Sequence, residues 1–244
     1  MSDSRTDKPV GRVAGLWRYP VKSMAGEALA EVDVSWHGLA GDRRWAFMRR
    51  EVRQSGFPWL TLRERHDMGL YRPSFANPAR PDKSAVIVQT PSGTIFDSAD
   101  SMLAAELQSG GTRIIKHDRG IFDTFPLSLI STRTIDRLSE VAGVELAVAR
   151  FRPNILVEAM GEAQFPEDGW LGCILQIGGL RMRVDERDGR CSVITIDPLT
   201  AESSPSILRS VTGDRQGCAG VYGTTVKPGR VAVNDAVFIE SGGR

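Results

Sequence analysis

The stretch Tyr19-Pro20-Val21-Lys22-Ser23 sets a lysine and a hydroxyl side by side just after a strand-like run. Together they offer a point charge and a hydrogen-bond donor to an anion, or else form a solvated turn. In Gly41-Asp42-Arg43-Arg44-Trp45, Asp42 can orient Arg43 for a bidentate contact, unless the two make an ordinary surface ion pair. Ser131-Thr132 joins the apolar run LSLI to the helical pattern TRTIDRL. Free backbone N–H groups and the positive helix end suit a phosphate there, although plain N-capping uses the same hydroxyls. In Phe151-Arg152-Pro153-Asn154, proline fixes the backbone between a guanidinium and a carboxamide. Residues 185–191, DERDGRC, read as a charged loop in which Arg187 and Arg190 can stabilise a thiolate on Cys191, a nucleophile or soft-metal ligand. The alternative is a small buried hydrophobe. That reading suits Cys173, inside GCILQI, while Cys218 stays open.

Several chemistries find no support. No P-loop, strand-borne GxGxxG or GxSxG occurs, and His37, His66 and His117 have no HExxH spacing. Three cysteines without a CxxC pair argue against a disulfide framework and against a four-cysteine zinc or iron–sulfur site. The net charge is +1, from 31 bases and 30 acids, so no general attraction to nucleic acid or to a membrane follows. No apolar run approaches the ~18 residues of a membrane helix, and the first nine residues lack the apolar stretch of a signal peptide. A cytoplasmic protein is expected. Only five of the 31 bases are lysine and 26 are arginine, which favours an anionic ligand or reflects solvated surface arginines.

The elements that must position these residues are mostly short strands. Alternation marks residues 10–18 and 29–34, WAFM marks 45–48, and 85–89 with 93–96 read as a hairpin about Pro91-Ser92-Gly93. Further strands are expected at 155–157, 173–177, 180–184, 192–196, 221–226 and 236–239. Residues 72–84 hold three prolines and read as a loop. Helices are expected at 98–108, 132–141 and 204–211, the last ending before Gly213. The fold class is therefore mainly β (α+β): two β-barrel-type domains with a few short helices, at 10–97 and 98–240.

Taken in order, YPVKS, GDRRWAFM, LISTRTIDRL, FRPNILVE, EDGWLG, RCSVITIDP and GVYGTTVKPGRVAVNDAVFI resemble the MOSC family, named for the C-terminal domain of molybdenum-cofactor sulfurase. The resemblance implies a MOSC N-terminal β-barrel domain followed by the MOSC domain. It implies the molybdenum cofactor, with Cys191 as the protein ligand to molybdenum and as the catalytic residue. Cofactor contacts map onto Lys22, Ser23, Arg43, Ser131, Thr132, Arg152 and Asn154, with Asp197 an optional proton donor. By layout the chain resembles bacterial relatives of the mitochondrial amidoxime-reducing component. That implies an oxidoreductase acting on N-hydroxylated or N-oxygenated small molecules, with electrons from an external flavin or iron–sulfur protein, since the chain lacks cysteines for a cluster. At family level the resemblance also brings in pyridoxal phosphate binding. The departure is DERDG before Arg190-Cys191, an acidic segment beside an anionic cofactor. Two other readings stand beside the reductase: a sulfur or cofactor carrier with a persulfide on Cys191, and an interaction module on a barrel scaffold.

Overall fold

The computed structural model describes residues 8–51, 57–108 and 111–240. Its first strand, β1 (Gly11–Arg18), alternates as the sequence does, turning Val13 and Leu16 inward and carrying a bulge between Val13 and Gly15. The chain continues through β2 (Glu27–Leu29), β3 (Glu31–Ser35), β4 (Gly38–Leu39), β5 (Trp45–Met48), β6 (Arg72–Phe75), β7 (Val86–Gln89) and β8 (Ile95–Asp97). After α1 (Ser101–Leu107) come β9 (Arg113–Lys116), β10 (Leu127–Ser131), α2 (Thr132–Ala142), α3 (Val148–Phe151) and β11 (Ile155–Ala159). The remainder is β12 (Ile174–Ile177), β13 (Leu180–Gly189), α4 (Pro205–Arg215), β14 (Cys218–Lys227), β15 (Gly229–Ala232) and β16 (Ala236–Glu240).

Seven strands close a barrel in the order β11-β10-β14-β13-β12-β16-β1, with β1 pairing back onto β11 and β2 hung on its outer edge. All its pairs are antiparallel except β10–β11, which α2 and α3 connect as a parallel crossover. Aliphatic residues fill the interior, among them Leu129, Val157, Leu175, Met182 and Val221. The other strands form smaller sheets, β15-β3-β4, β5-β9 and β6-β7-β8. The β15-β3-β4 sheet adds Val32, Val34, Leu39 and Val231 to the barrel core, a second core with Phe47, Met68, Tyr71, Phe75 and Leu103 lies under the other two sheets, and a third packs α2, α3 and α4 on the barrel. The fold is mainly β with few short helices, as the residue pattern indicates. Among the described residues no helix is long and apolar enough to cross a membrane.

Four local expectations are corrected. Residues 192–196 read as a strand but form a 3-10 turn, Ser192–Thr195. Ile194 joins the helical core and Ile196 the core under the small sheets, so packing in two directions overrides β propensity. The charged segment 185–189 is no loop; it completes β13, held against β14 through register shifts that reach Gly189 opposite Cys218. The 72–84 segment supplies β6, where Pro73 is tolerated because β6 is an edge strand. α4 runs through Gly213 to Arg215, whose guanidinium is held by both oxygens of Asp168 and stacks 3.7 Å from the Phe165 ring centre. α3 and β9 were not expected, being four residues each.

Candidate active site

After β1 the chain cannot continue as a strand through Pro20 and turns toward β5, bridging Val21 to Trp45. This drives Lys22 inward. Its Nζ donates to Asp123 Oδ1 at 2.7 Å and to the Ile121 carbonyl at 3.2 Å. Burial lowers the Lys22 pKa, with Asp123 opposing the shift. The next residue, Ser23, sits in the left-handed region at φ 70°.

Across the cavity, Arg43 and Arg152 lie 4.5 and 4.3 Å from the ring centre of Tyr19. Arg43 donates to Asp42 Oδ2 at 2.5 Å and to the Arg152 carbonyl at 3.1 Å, while the same Asp42 accepts from the Tyr19 N–H. Burial works against the Arg43 cation, yet Asp42 beside it leaves its pKa raised. Arg152 has no such carboxylate, and burial pulls it down to about 10. Tyr19, whose hydroxyl donates to the Pro153 carbonyl, is pushed up to about 12 by burial. Both Arg43 and Arg152 are left-handed, each at φ 50°. Six described non-glycine residues have positive φ, and three of them, Ser23, Arg43 and Arg152, line this one cavity. Such strain persists where the surroundings fix it, and it gathers at functional sites.

Cys191 closes the arrangement at the end of β13. Its thiol is half-exposed and accepts from Arg63 Nη2 at 3.4 Å. The flanking arginines do not reach it as the sequence suggested. Arg187 pairs with Asp168, and Arg190 turns inward to the carbonyls of Phe151 and Ala219 and to Asp188 at 2.7 Å. Gly220, at φ 79°, lets this packing close, since a Cβ there would lie 2.6 Å from the Leu129 carbonyl oxygen and 3.3 Å from Arg190 Nη2. Burial pushes the Asp188 carboxyl up to about 6, against Arg190 and a hydrogen bond from Tyr222. Lys22, Arg43, Arg63, Arg152, Asp188 and Cys191 are among the residues lining a cavity of about 400 Å³.

Residues 116–238, half of the chain, match the MOSC domain family, and residues 10–118 match the MOSC N-terminal beta barrel domain. The chain belongs to the MOSC family. It is 22% identical over 261 residues to a molybdenum cofactor sulfurase of Caenorhabditis briggsae, covering 98% of this chain and 36% of the relative. A molybdenum cofactor sulfurase of Danio rerio is 38% identical over 80 residues, covering 32% of this chain and 9% of that protein. The chain thus spans about a third or less of the length of these curated relatives. The solved YuaD protein from Bacillus subtilis has the same overall fold, with a TM-score of 0.52 at 14% identity, covering 96% of this chain and 97% of that one.

Of the residues singled out from the sequence, this MOSC chain brings Lys22, Ser23, Arg43, Arg152 and Cys191 to one cavity. It does not bring Ser131 and Thr132 there. Ser131 caps α2 and donates to Glu167 Oε2 at 2.7 Å, so the helix start is occupied by a carboxylate of the protein. Asn154 is buried behind the wall, where its Oδ1 accepts from Ser128 and, at 3.5 Å, from Arg43. Asp197 lies beyond Arg150, paired with it at 2.5 Å, and its pKa is lowered chiefly by the Leu199 backbone N–H. A carboxyl held ionised this way is poorly suited to donate a proton. Sequence reasoning missed Arg63, Asp123, Asp188 and Tyr222. Arg63 and Asp123 lie in stretches with no motif, and Tyr222 was hidden inside a strand pattern.

The MOSC family is associated with the molybdenum cofactor, and the wall fits an anionic chelator. Among the described residues Arg152 has no salt bridge to a carboxylate, and the buried Nε of Arg150, also in the wall, has no hydrogen-bond partner. Among the described residues no group of three His, Cys, Asp or Glu side chains can hold a metal. A metal here would have a single protein sulfur and take its other ligands from an organic partner.

Proposed function

We propose that this MOSC protein is a molybdenum-cofactor-dependent oxidoreductase that reduces N-oxygenated small molecules with electrons from an external flavin or iron–sulfur protein. The observation that carries this reading is one half-exposed thiol on the rim of a cavity whose wall holds unpaired cationic donors and three left-handed residues. Arg152, Lys22 and Ser23 would grip the anionic parts of the cofactor, and Arg150 Nε would meet a hydrogen-bonding edge. Arg43, fixed by Asp42 and Asn154, holds the backbone of Arg152 in place. Cys191 would bind as the thiolate, a soft ligand suited to molybdenum. When bound, the cofactor would supply two-electron redox chemistry. The overall step is balanced: R–NHOH takes two electrons and two protons and gives R–NH2 and water.

The test is elemental analysis of wild type and Cys191→Ala purified from a cofactor-producing host, with reductase activity measured using a reduced dye. The expected result is near-stoichiometric molybdenum in wild type and loss of activity in the variant. Wild type without molybdenum would end this reading.

The curated relatives favour a second one, since the protein matched across nearly the whole chain is a molybdenum cofactor sulfurase. In that case the Cys191 thiolate would take the outer, sulfane sulfur of a persulfide donor, whose own thiolate leaves; mass spectrometry would detect the added sulfur, and no electron source would support reduction.

A further inference from the structure

The cations around the Cys191 cavity differ in how far they are already committed. Lys22 is paired with Asp123, Arg43 with Asp42, Arg190 with Asp188 and Arg150 with Asp197. Pairing them off leaves Arg152 and Arg63, neither of which forms a salt bridge with a described carboxylate. Arg152 packs on Tyr19 beside Arg43. Arg63 is exposed at the thiol, with Nη2 3.4 Å from Cys191 Sγ and its guanidinium carbon 5.8 Å from the centre of the Phe57 ring.

The two carboxylates nearest to Arg63 are held elsewhere. Asp123 receives Lys22, and Glu64, next in sequence, is gripped by Arg49 through both oxygens at 2.6 Å. The contact with sulfur uses one of the five N–H donors of Arg63, which leaves most of a planar fork that matches a carboxylate. Phe57 gives the adjoining wall an apolar face for the organic part of such a molecule.

We propose that Arg63 is a specificity residue that draws small oxyanion-bearing molecules, carboxylates above all, to Cys191. This rests on the reductase reading only for what reacts there; the selection itself is a property of the chain. A carboxylate on an N-hydroxylated substrate would then lower KM relative to its neutral amide.

The test compares two alkylating agents on the full-length protein, anionic iodoacetate and neutral iodoacetamide, with each cysteine resolved by peptide mass spectrometry. The neutral reagent reports how much thiolate is present, so the ratio of the two rates isolates anion recruitment from any change in acidity. The ratio at Cys191 should fall about fivefold in Arg63→Gln at low salt, recover in Arg63→Lys, and shrink in wild type as salt is added. The ratio at half-exposed Cys218 should not move between variants. An unchanged Cys191 ratio in Arg63→Gln overturns the proposal. Full-length protein made in a host without molybdenum-cofactor synthesis leaves the Cys191 thiol open to both reagents, so that outcome is independent of the molybdenum content that decides the reductase reading.

Discussion

At the start of α2 the protein fills an anion site with its own carboxylate, whereas beside Cys191 it leaves two guanidinium groups, of Arg63 and Arg152, unpaired with any described carboxylate. Glu167 is fully buried, and it accepts from Ser131 Oγ at 2.7 Å, Thr134 Oγ1 at 2.5 Å and the Ser131 N–H at 3.4 Å. The Ser131 hydroxyl and N–H, which the sequence offered to a phosphate, are thereby spent on stability. In the cavity the backbone is strained at three side-chain-bearing positions, two cations, Lys22 and Arg152, are shifted down by burial, and the buried Arg150 Nε has no partner among the described residues. Both places read as anion sites in the sequence. What separates them is whether another segment of the chain supplies the anion.

The sharpest way to break this contrast is Glu167→Ala. Removing the carboxylate strands two buried hydroxyls and a buried N–H, each costing about 1–3 kcal/mol. We expect the protein to lose about 3 kcal/mol or more in denaturant unfolding, with the surviving folded fraction keeping the Cys191 cavity. A loss under 1 kcal/mol would mean that the knot at α2 is not closed by Glu167.

Asp188 is the carboxylate that sharpens the cavity side. Its folded pKa of about 6 lies above the ordinary value of 3.8, with burial as the main cause. Between these values the unfolded chain has released the proton while the folded chain keeps it. Stability contributed by Asp188 is therefore present below about pH 4 and is lost as pH rises toward 6, by on the order of 2–3 kcal/mol. Asp188→Asn should remove this slope. The difference in unfolding free energy between wild type and variant, followed from pH 4 to 7.5, should change through that window and level off above it. A flat difference would count against the shift.

How much of this was legible in the sequence depends on the range of the interaction that decides each feature. β1 declares itself because alternation is local and one face is buried, and α2 because Ser131 and Gly143 bracket it at φ 69° for the glycine. Lys22, Arg43, Arg152 and Cys191 stood out as motif residues, and the fold gathers them. Ser131 stays outside the cavity because its partner, Glu167, lies 36 residues on in the EDGWLG stretch, and only the assembled fold brings the two together. Arg63 escaped because its meaning comes from Cys191, 128 residues away. The 192–196 segment misled for the same reason: its β-branched residues serve two cores that only the assembled fold creates.

Arg152 offers a smaller effect with the opposite sign from Glu167. Its guanidinium is desolvated without a carboxylate, so replacing it by an apolar side chain of similar length removes a cost rather than a bond. Arg152→Met should leave unfolding stability unchanged or raise it by about 1 kcal/mol, while molybdenum retained through purification falls. If Arg152→Met instead destabilised the fold by 3 kcal/mol, the guanidinium would be structural, as Glu167 is.

The smallest effect is expected at Ser23. At φ 70° a serine pays for its Cβ in a conformation that glycine reaches freely, so Ser23→Gly relieves about 1 kcal/mol of strain, offset in part by the greater freedom of glycine in the unfolded chain. The net gain should be about 0.5 kcal/mol by thermal unfolding. The same substitution removes a hydroxyl from the cavity wall, so molybdenum retention should drop while stability rises. That opposite movement of the two readouts is what a binding site predicts and what a structural turn does not. If stability and retention fall together, Ser23 belongs with the α2 knot as a residue that holds the fold, and the strain at this position has no connection to a ligand.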